Sequence, residues 1–255
     1  MFRRGRAVLF VGLALGLASL ASAGVAAAEP PEFGHCSVPL YLPNGSGTYA
    51  DSNCTTSGEL NRYDWYPSTK GEAFFSKGKT TFATAAGAVT CSGVRALGFY
   101  TSPKTIGNFP FRFTGCQLGG ALCASDSASA GEVRTSTLEA TLGTDTVMGK
   151  QRTLVVVAAV QLTPPSGASF AEFSCDATSV VLHGAPIAQI THSTKVRSLA
   201  LELKVKQGRQ AMYEISDVFP EFPESSVDGG PFTPMTVKAK LKNLNYDDTL
   251  VNMVV

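Results

Sequence analysis

Residues 199–206 read LALELKVK and residues 235–242 read MTVKAKLK, and these two passages decide the fold. In the first, Leu199, Leu201, Leu203 and Val205 alternate with Ala200, Glu202, Lys204 and Lys206. In the second, Met235, Val237, Ala239 and Leu241 alternate with Thr236, Lys238, Lys240 and Lys242. A period of two puts successive side chains on opposite faces, which is the pattern of a half-buried antiparallel strand. Phe109, Phe111 and Phe113 repeat it around Pro110 and Arg112. Residues 154–162 (LVVVAAVQL) are almost continuously apolar and predict a strand buried on both faces.

Further strands are expected over 80–84, 89–92, 95–101, 133–142, 169–175, 179–183 and 212–218, and no stretch carries a helical apolar stripe. Turn chemistry separates the runs: Pro43-Asn44-Gly45, the 163–167 segment TPPSG, and a 220–234 segment with Pro220, Pro223, Pro231 and Pro234. The reading is an all-β protein, an antiparallel β-sandwich or barrel-like domain of about a dozen short strands with disulfides. A single domain over 29–255 is expected. Two smaller β subdomains meeting near residues 60–75 are the alternative.

Arg3, Arg4 and Arg6 precede 22 uncharged residues, Ala7 to Ala28, with small residues at Ala21-Ser22-Ala23 and Ala26-Ala27-Ala28. That order predicts a secretory signal over 1–28, cleaved after Ala28. Cleavage after Ala23, or retention as a membrane anchor, are the alternatives. Removing three arginines from 21 basic residues leaves 18 against 20 acidic ones, so the chain beyond the signal carries −2. Such a balance excludes a generally basic nucleic-acid binder, and 44% hydrophobic content excludes a mainly disordered chain. The membrane is expected to be met only through the signal segment.

All six cysteines, Cys36, Cys54, Cys91, Cys116, Cys123 and Cys175, lie beyond the signal. An even count in an exported chain predicts three disulfides. The expected pairs are Cys36–Cys54 and Cys116–Cys123, which close short loops, and Cys91–Cys175, which joins the ends of two distant strand-like runs. A metal site is not expected, because no CxxC pair is present.

An ordered set of motifs follows: Cys91, Gly98-Phe99-Tyr100-Thr101, Lys104-Thr105, Phe111-Arg112-Phe113-Thr114-Gly115-Cys116, Cys123-Ala124-Ser125, Gly131-Glu132-Val133-Arg134-Thr135 and Leu138-Glu139-Ala140-Thr141-Leu142-Gly143. Upstream stand Gly47-Thr48-Tyr49-Ala50-Asp51 with Cys54, and Tyr63-Asp64-Trp65. The set resembles a family of uncharacterised, secreted six-cysteine proteins of actinobacteria. The family has no established activity, so the resemblance implies export and no particular chemistry.

The motifs of metalloproteases, P-loop enzymes, dinucleotide binders and Ser hydrolases are absent from the sequence. His183 and His192 flank Gly184-Ala185-Pro186 and are expected on adjacent strands as polar strand-end residues. Glu132 and Glu139 fall seven apart in one strand-like run, which sets them on opposite faces and argues against an acid/base pair. Glu172 and Asp176 share a face if their strand is unbroken, as structural partners. Glu132, beside a glycine turn, is expected to fix a loop. Asp126 with Glu132, or Asp217, Glu221, Glu224 and Asp228, offer oxygen ligands for calcium without the spacing of a calcium loop.

Tyr63, Trp65 and Tyr66 form the densest aromatic group, beside Asn61, Arg62 and Asp64. Exposed, they could stack on sugar rings. Buried, Trp65 would plug the core with its indole N–H paired. The function expected is therefore a secreted, non-catalytic β protein that binds a surface or ligand, with no cofactor. The alternative is a carbohydrate-binding or carbohydrate-active module using Trp65. A cell-surface polymer or glycan is the partner class that fits.

Overall fold

A computed structural model describes residues 31–40, 47–58, 61–76, 78–148, 153–192, 199–210, 212–214, 221–243 and 250–252. The chain is all-β. Its strands begin with β1 (Glu32–Ser37), β2 (Asp64–Pro67), β3 (Glu72–Ser76), β4 (Thr80–Thr84), β5 (Gly87–Cys91), β6 (Gly93–Ser102), β7 (Thr105–Gly107) and β8 (Phe111–Thr114). Then come β9 (Gln117–Leu118), β10 (Ala121–Ala124), β11 (Val133–Arg134), β12 (Glu139–Met148), β13 (Leu154–Thr163), β14 (Ala171–Cys175) and β15 (Thr178–His183). The last are β16 (Ile187–His192), β17 (Leu199–Val205), β18 (Met212–Glu214), β19 (Glu224–Val227), β20 (Thr233–Pro234), β21 (Thr236–Asn243) and β22 (Leu250–Asn252). Among the described residues the expected dozen becomes twenty-two, because turns cut the longer runs into short pieces.

Eight strands close a ring of antiparallel pairs, β3–β6–β7–β12–β13–β16–β17–β21 and back to β3. The two opening passages lie side by side in it as β17 and β21, with Leu201 opposite Leu241 and Leu203 opposite Ala239. Closure removes the free edges that a sheet of this length would otherwise present. Below the ring, β4, β5, β9 and β10 lead from β21 to a second sheet, β10–β14–β15–β19–β20. A small sheet, β2–β1–β22, stands outside, tied to the barrel by the Phe33 N–H donating to the Pro103 carbonyl at 2.7 Å.

The interior is filled by aromatic rings. Phe75, Phe109, Phe111, Phe113 and Phe82 form a chain with successive centroids 5.6, 5.0, 6.0 and 5.0 Å apart. All five are buried, with Leu162, Leu201, Met235 and Leu241 around them. Burying such a side chain contributes roughly 2–3 kcal/mol. The void among Phe82, Phe111, Phe113 and Leu203 measures about 10 Å³, room for at most one water.

Three disulfides are formed, Cys36–Cys54, Cys91–Cys116 and Cys123–Cys175. The first matches expectation. The other two correct it: neither Cys116–Cys123 nor Cys91–Cys175 exists. Cys116 and Cys123 are neighbours, with the Cys123 N–H donating to the Cys116 carbonyl at 2.9 Å. The bonds nevertheless leave the β9–β10 hairpin in opposite directions. Cys116 joins the end of β5, and Cys123 joins Cys175, its direct register partner on β14.

Two strand readings are also corrected. The 154–162 run is not buried throughout: Leu154, Val155 and Val156 are exposed, while Ala158, Ala159, Val160 and Leu162 are buried. On one side β16 pairs with only Ala159–Gln161, so the first half of β13 runs past the barrel wall. The 133–142 run is not one strand but β11 and β12, parted at Thr135, whose hydroxyl accepts the Phe111 N–H at 2.9 Å. Of the 212–218 run, residues 215–218 lie outside the described residues, as does the 1–28 signal.

Candidate functional site

The aromatic group sits on the outer sheet. Trp65 pairs in register with Cys36 and Tyr66 with His35. Alternation along β2 divides the group: Tyr63 and Trp65 share one face, and Tyr66 projects from the other, stacked on His35 at 5.6 Å. Trp65 is half-buried over Gly34, where a Cβ would come within 2.6 Å of the indole Cε2. The expected pairing of the indole is not made: its Nε1 is shielded and has no acceptor. Asp64 accepts the Thr48 N–H at 2.8 Å, and Tyr49 bridges to Tyr63, so one loop is laced to this strand.

That loop is built on Asp51. Its carboxylate accepts the Asn53 N–H (2.8 Å), the Thr56 N–H (2.7 Å), and the hydroxyls of Thr55 (3.1 Å) and Thr56 (2.6 Å). Partial burial pushes the group up, but the Thr56 hydroxyl, the N–H groups of Asn53 and Thr56 and the Thr55 hydroxyl together bring it down to about 2. Within the turn Cys54 takes a positive φ of 54°, a conformation that costs a side-chain-bearing residue about 1 kcal/mol or more. The Asp51 hydrogen bonds and the Cys36 bridge hold it there.

Among the described residues the acids do not converge. Glu132 receives the Nε–H groups of Arg134 at 2.5 Å and Arg112 at 3.1 Å. Its carboxyl is held below its ordinary value, first by the Arg134 hydrogen bond and then by the charges of Arg112 and Arg134, against the effect of burial. It thus ties two arginine side chains together across β8 and β11, and not the backbone N–H groups of a loop, as was expected of a residue beside Gly131. Glu139 is exposed on β12, beyond the break at Thr135. Glu172 accepts the Ser169 hydroxyl at 2.7 Å, and Asp228 accepts the Ser179 N–H at 2.8 Å. Asp176 turns the chain after β14 with a φ of 54°, so the unbroken strand expected through it ends at Cys175. Asp217 lies outside the described residues, and among those described no three His, Cys, Asp or Glu gather as metal ligands.

His183 and His192 are not on adjacent strands. β15 pairs with β14 and β19, while β16 pairs with β13 and β17, so Gly184-Ala185-Pro186 carries the chain between sheets. His183 instead packs on Phe232 at 5.0 Å. A group that sequence reasoning missed is Asp145, 1% exposed on β12. Its Oδ2 accepts the Gln189 amide at 3.1 Å, and its Oδ1 is buried with no partner. Burial raises its pKa, outweighing the Gln189 hydrogen bond. Period-two patterning places Asp145 on the outward face of the strand, so nothing in the sequence marked it as buried.

Also unmarked was the register that sets Arg95 opposite Arg112 and Arg112 opposite Arg134 on the outer wall. Compared with protein-family models, curated proteins and solved structures, the chain matches none of them. Among the described residues no helix is long and apolar enough to cross a membrane.

Proposed function

We propose that the protein is an exported, non-catalytic binding protein that meets its partner on the outside of a filled barrel. The observation that carries this reading is the described interior, where a ring of eight strands encloses a chain of phenylalanines and the void among Phe82, Phe111 and Phe113 measures about 10 Å³. Small-ligand pockets typically need several hundred Å³. Among the described residues Glu132, Asp51, Glu172 and Asp228, tied to arginines, hydroxyls or backbone, suit a structural part better than paired acid/base chemistry. Three disulfides support an oxidising compartment, in keeping with the secretory signal expected over 1–28 and the resemblance to secreted proteins. Binding and turnover measured on the same panel of cell-surface polymers and glycans test it. Retention without product is expected, and steady turnover of any member would sink the reading.

A second reading keeps Tyr63 and Trp65 as a sugar-stacking face. The half-buried state of Trp65 favours it, since a ring left partly open can stack on a sugar face. A glycan array on the wild type and Trp65→Ala tests it, and binding indifferent to the substitution would remove Trp65 from the account.

A further inference from the structure

On the outer wall, Lys242, Ser76, Arg95, Arg112 and Arg134 are successive register partners across β21, β3, β6, β8 and β11. Directly opposite residues in antiparallel pairs project from the same face about 5 Å apart. The row therefore aligns four cations over roughly 20 Å. At Lys242 it turns a corner, where Lys240 and Lys238 continue along β21 in steps of about 7 Å, and Lys204 faces Lys238 from β17.

Arg95, Arg112, Lys238, Lys240 and Lys242 are exposed and Arg134 is half-buried. Glu132 bridges Arg112 and Arg134, and Glu202 pairs with Lys204 at 3.1 Å. Among the described residues, Arg95, Lys238, Lys240 and Lys242 enter no ion pair.

Like charges directly opposite one another on neighbouring strands destabilise a sheet. Arg95/Arg112, Arg112/Arg134 and Lys204/Lys238 are three such pairs. They occur in a chain of nearly balanced charge, so the clustering is not a by-product of a basic composition. The second sheet shows the converse: its strands β10, β14, β15, β19 and β20 hold Glu172 and Glu224 and neither Lys nor Arg. The turns beside them carry Asp126, Asp176 and Asp228. The cations are thus gathered on the barrel wall, where Glu72, Glu132 and Glu202 also stand, and are lacking from the strands of the second sheet.

We propose that this row binds a linear polyanion, a sugar or polyol polymer bearing phosphate or sulfate groups along its length. Arginine forks suit tetrahedral oxyanions, and a line of cations suits a chain that presents anions repeatedly rather than a single small ion. Single-stranded nucleic acid is the less apt occupant, because its binding grooves interleave cations with stacking rings, whereas the rings on this face, Phe74 and Phe99, stand off the row along β3 and β6. The inference rests on the outside-binding reading above and names the surface and chemistry it uses.

The test measures binding of the full chain to dextran sulfate, unmodified dextran of equal length, polygalacturonate and oligo-dT, at several salt concentrations. Wild type is expected to retain dextran sulfate preferentially, with the logarithm of the affinity falling linearly with the logarithm of the salt concentration. Arg95→Gln and Arg112→Gln are each expected to weaken it about 3- to 10-fold and to lower the salt slope by roughly 0.7. The pair with Lys240→Gln and Lys242→Gln is expected to abolish it. An unchanged circular-dichroism spectrum and Tm certify folding, and Arg95→Lys is expected to recover part of the affinity.

Dextran sulfate binding untouched by the quadruple variant would overturn the proposal. So would preference for oligo-dT, or equal binding of plain dextran. In the last case, binding lost in Trp65→Ala and kept in the quadruple variant preserves the outside-binding reading while removing the row. Turnover of a polymer would instead overturn the non-catalytic reading.

Discussion

The loop on Asp51 supplies the sharpest quantitative expectation. The group's ordinary value is 3.8 and the fold brings it to about 2. At 1.36 kcal/mol per pH unit that difference corresponds to about 2.4 kcal/mol favouring the folded, ionised form. The loop is partly solvated, so screening reduces the contribution to about 1–2 kcal/mol. The sign follows from a depressed folded value: the stabilisation is complete above pH 3.8 and is lost as pH falls toward 2. Asp51→Asn keeps an acceptor at the same place and removes the charge. Urea denaturation should therefore show the variant about 1–2 kcal/mol less stable at pH 6 and nearly equal to wild type at pH 2. Carboxyl NMR should show Asp51 titrating near 2. Because Cys54 sits inside the same turn, the Cys36–Cys54 bond should also reduce faster in the variant. An Asp51 that titrates near 3.8, or a stability difference that ignores pH, would refute the reasoning.

Asp145 should behave in the opposite sense. Its pKa is raised, so the folded state holds a proton after the unfolded chain has released it, and stability should fall as pH rises above the unfolded value, by at most about 1.4 kcal/mol per unit. Asp145→Asn should abolish that slope in urea melts at pH 4–7, and an unchanged slope would count against it. Peptide mapping of the unreduced protein should recover Cys91 with Cys116 and Cys123 with Cys175. Replacing Cys123 and Cys175 by Ala should cost about 4 kcal/mol, since the bridge spans 52 residues, against about 3 for the 18-residue Cys36–Cys54 span. Phe111→Ala, which empties a position in the ring chain, should cost roughly 3–5 kcal/mol in chemical denaturation. Gly34→Ala should push the indole outward and shift the emission of the only tryptophan to the red, because a Cβ there would also stand 2.7 Å from the Tyr66 carbonyl oxygen.

The alternation at 199–206 and 235–242 was enough to read the class of fold, because the side-chain period of a strand is a local property. It located the core face correctly: Leu201, Leu203, Val205, Met235, Val237 and Leu241 are all buried. What it could not supply was partnership. Residues 154–162 satisfied every local criterion of a doubly buried strand, yet burial depends on how far the neighbours extend, and β16 reaches only part of it. The disulfides separate along the same line. Cys36–Cys54 closes a loop that Asp51 organises by itself. The exchange at Cys116 and Cys123 depends on which strand lies on either side of a two-residue-edged hairpin, and loop length points the wrong way.

The same limit explains why the row of cations went unseen and why it is informative now. Arg95, Arg112, Arg134 and Lys242 belong to four separate strand passages, each with an ordinary outward charge of the kind that keeps a sheet wet. Only the register brings them into one line, and it does so across pairs in which like charges meet directly. A wall that needed charge merely for solubility could alternate signs throughout, as it does at the end of the row where Glu202 faces Lys240. The aromatic group shows the reverse error: Tyr63, Trp65 and Tyr66 are close in sequence, and the pleat sends them to two faces. Proximity along the chain overstated a site in one place and concealed one in another, so the surface most worth testing is the one assembled entirely by pairing.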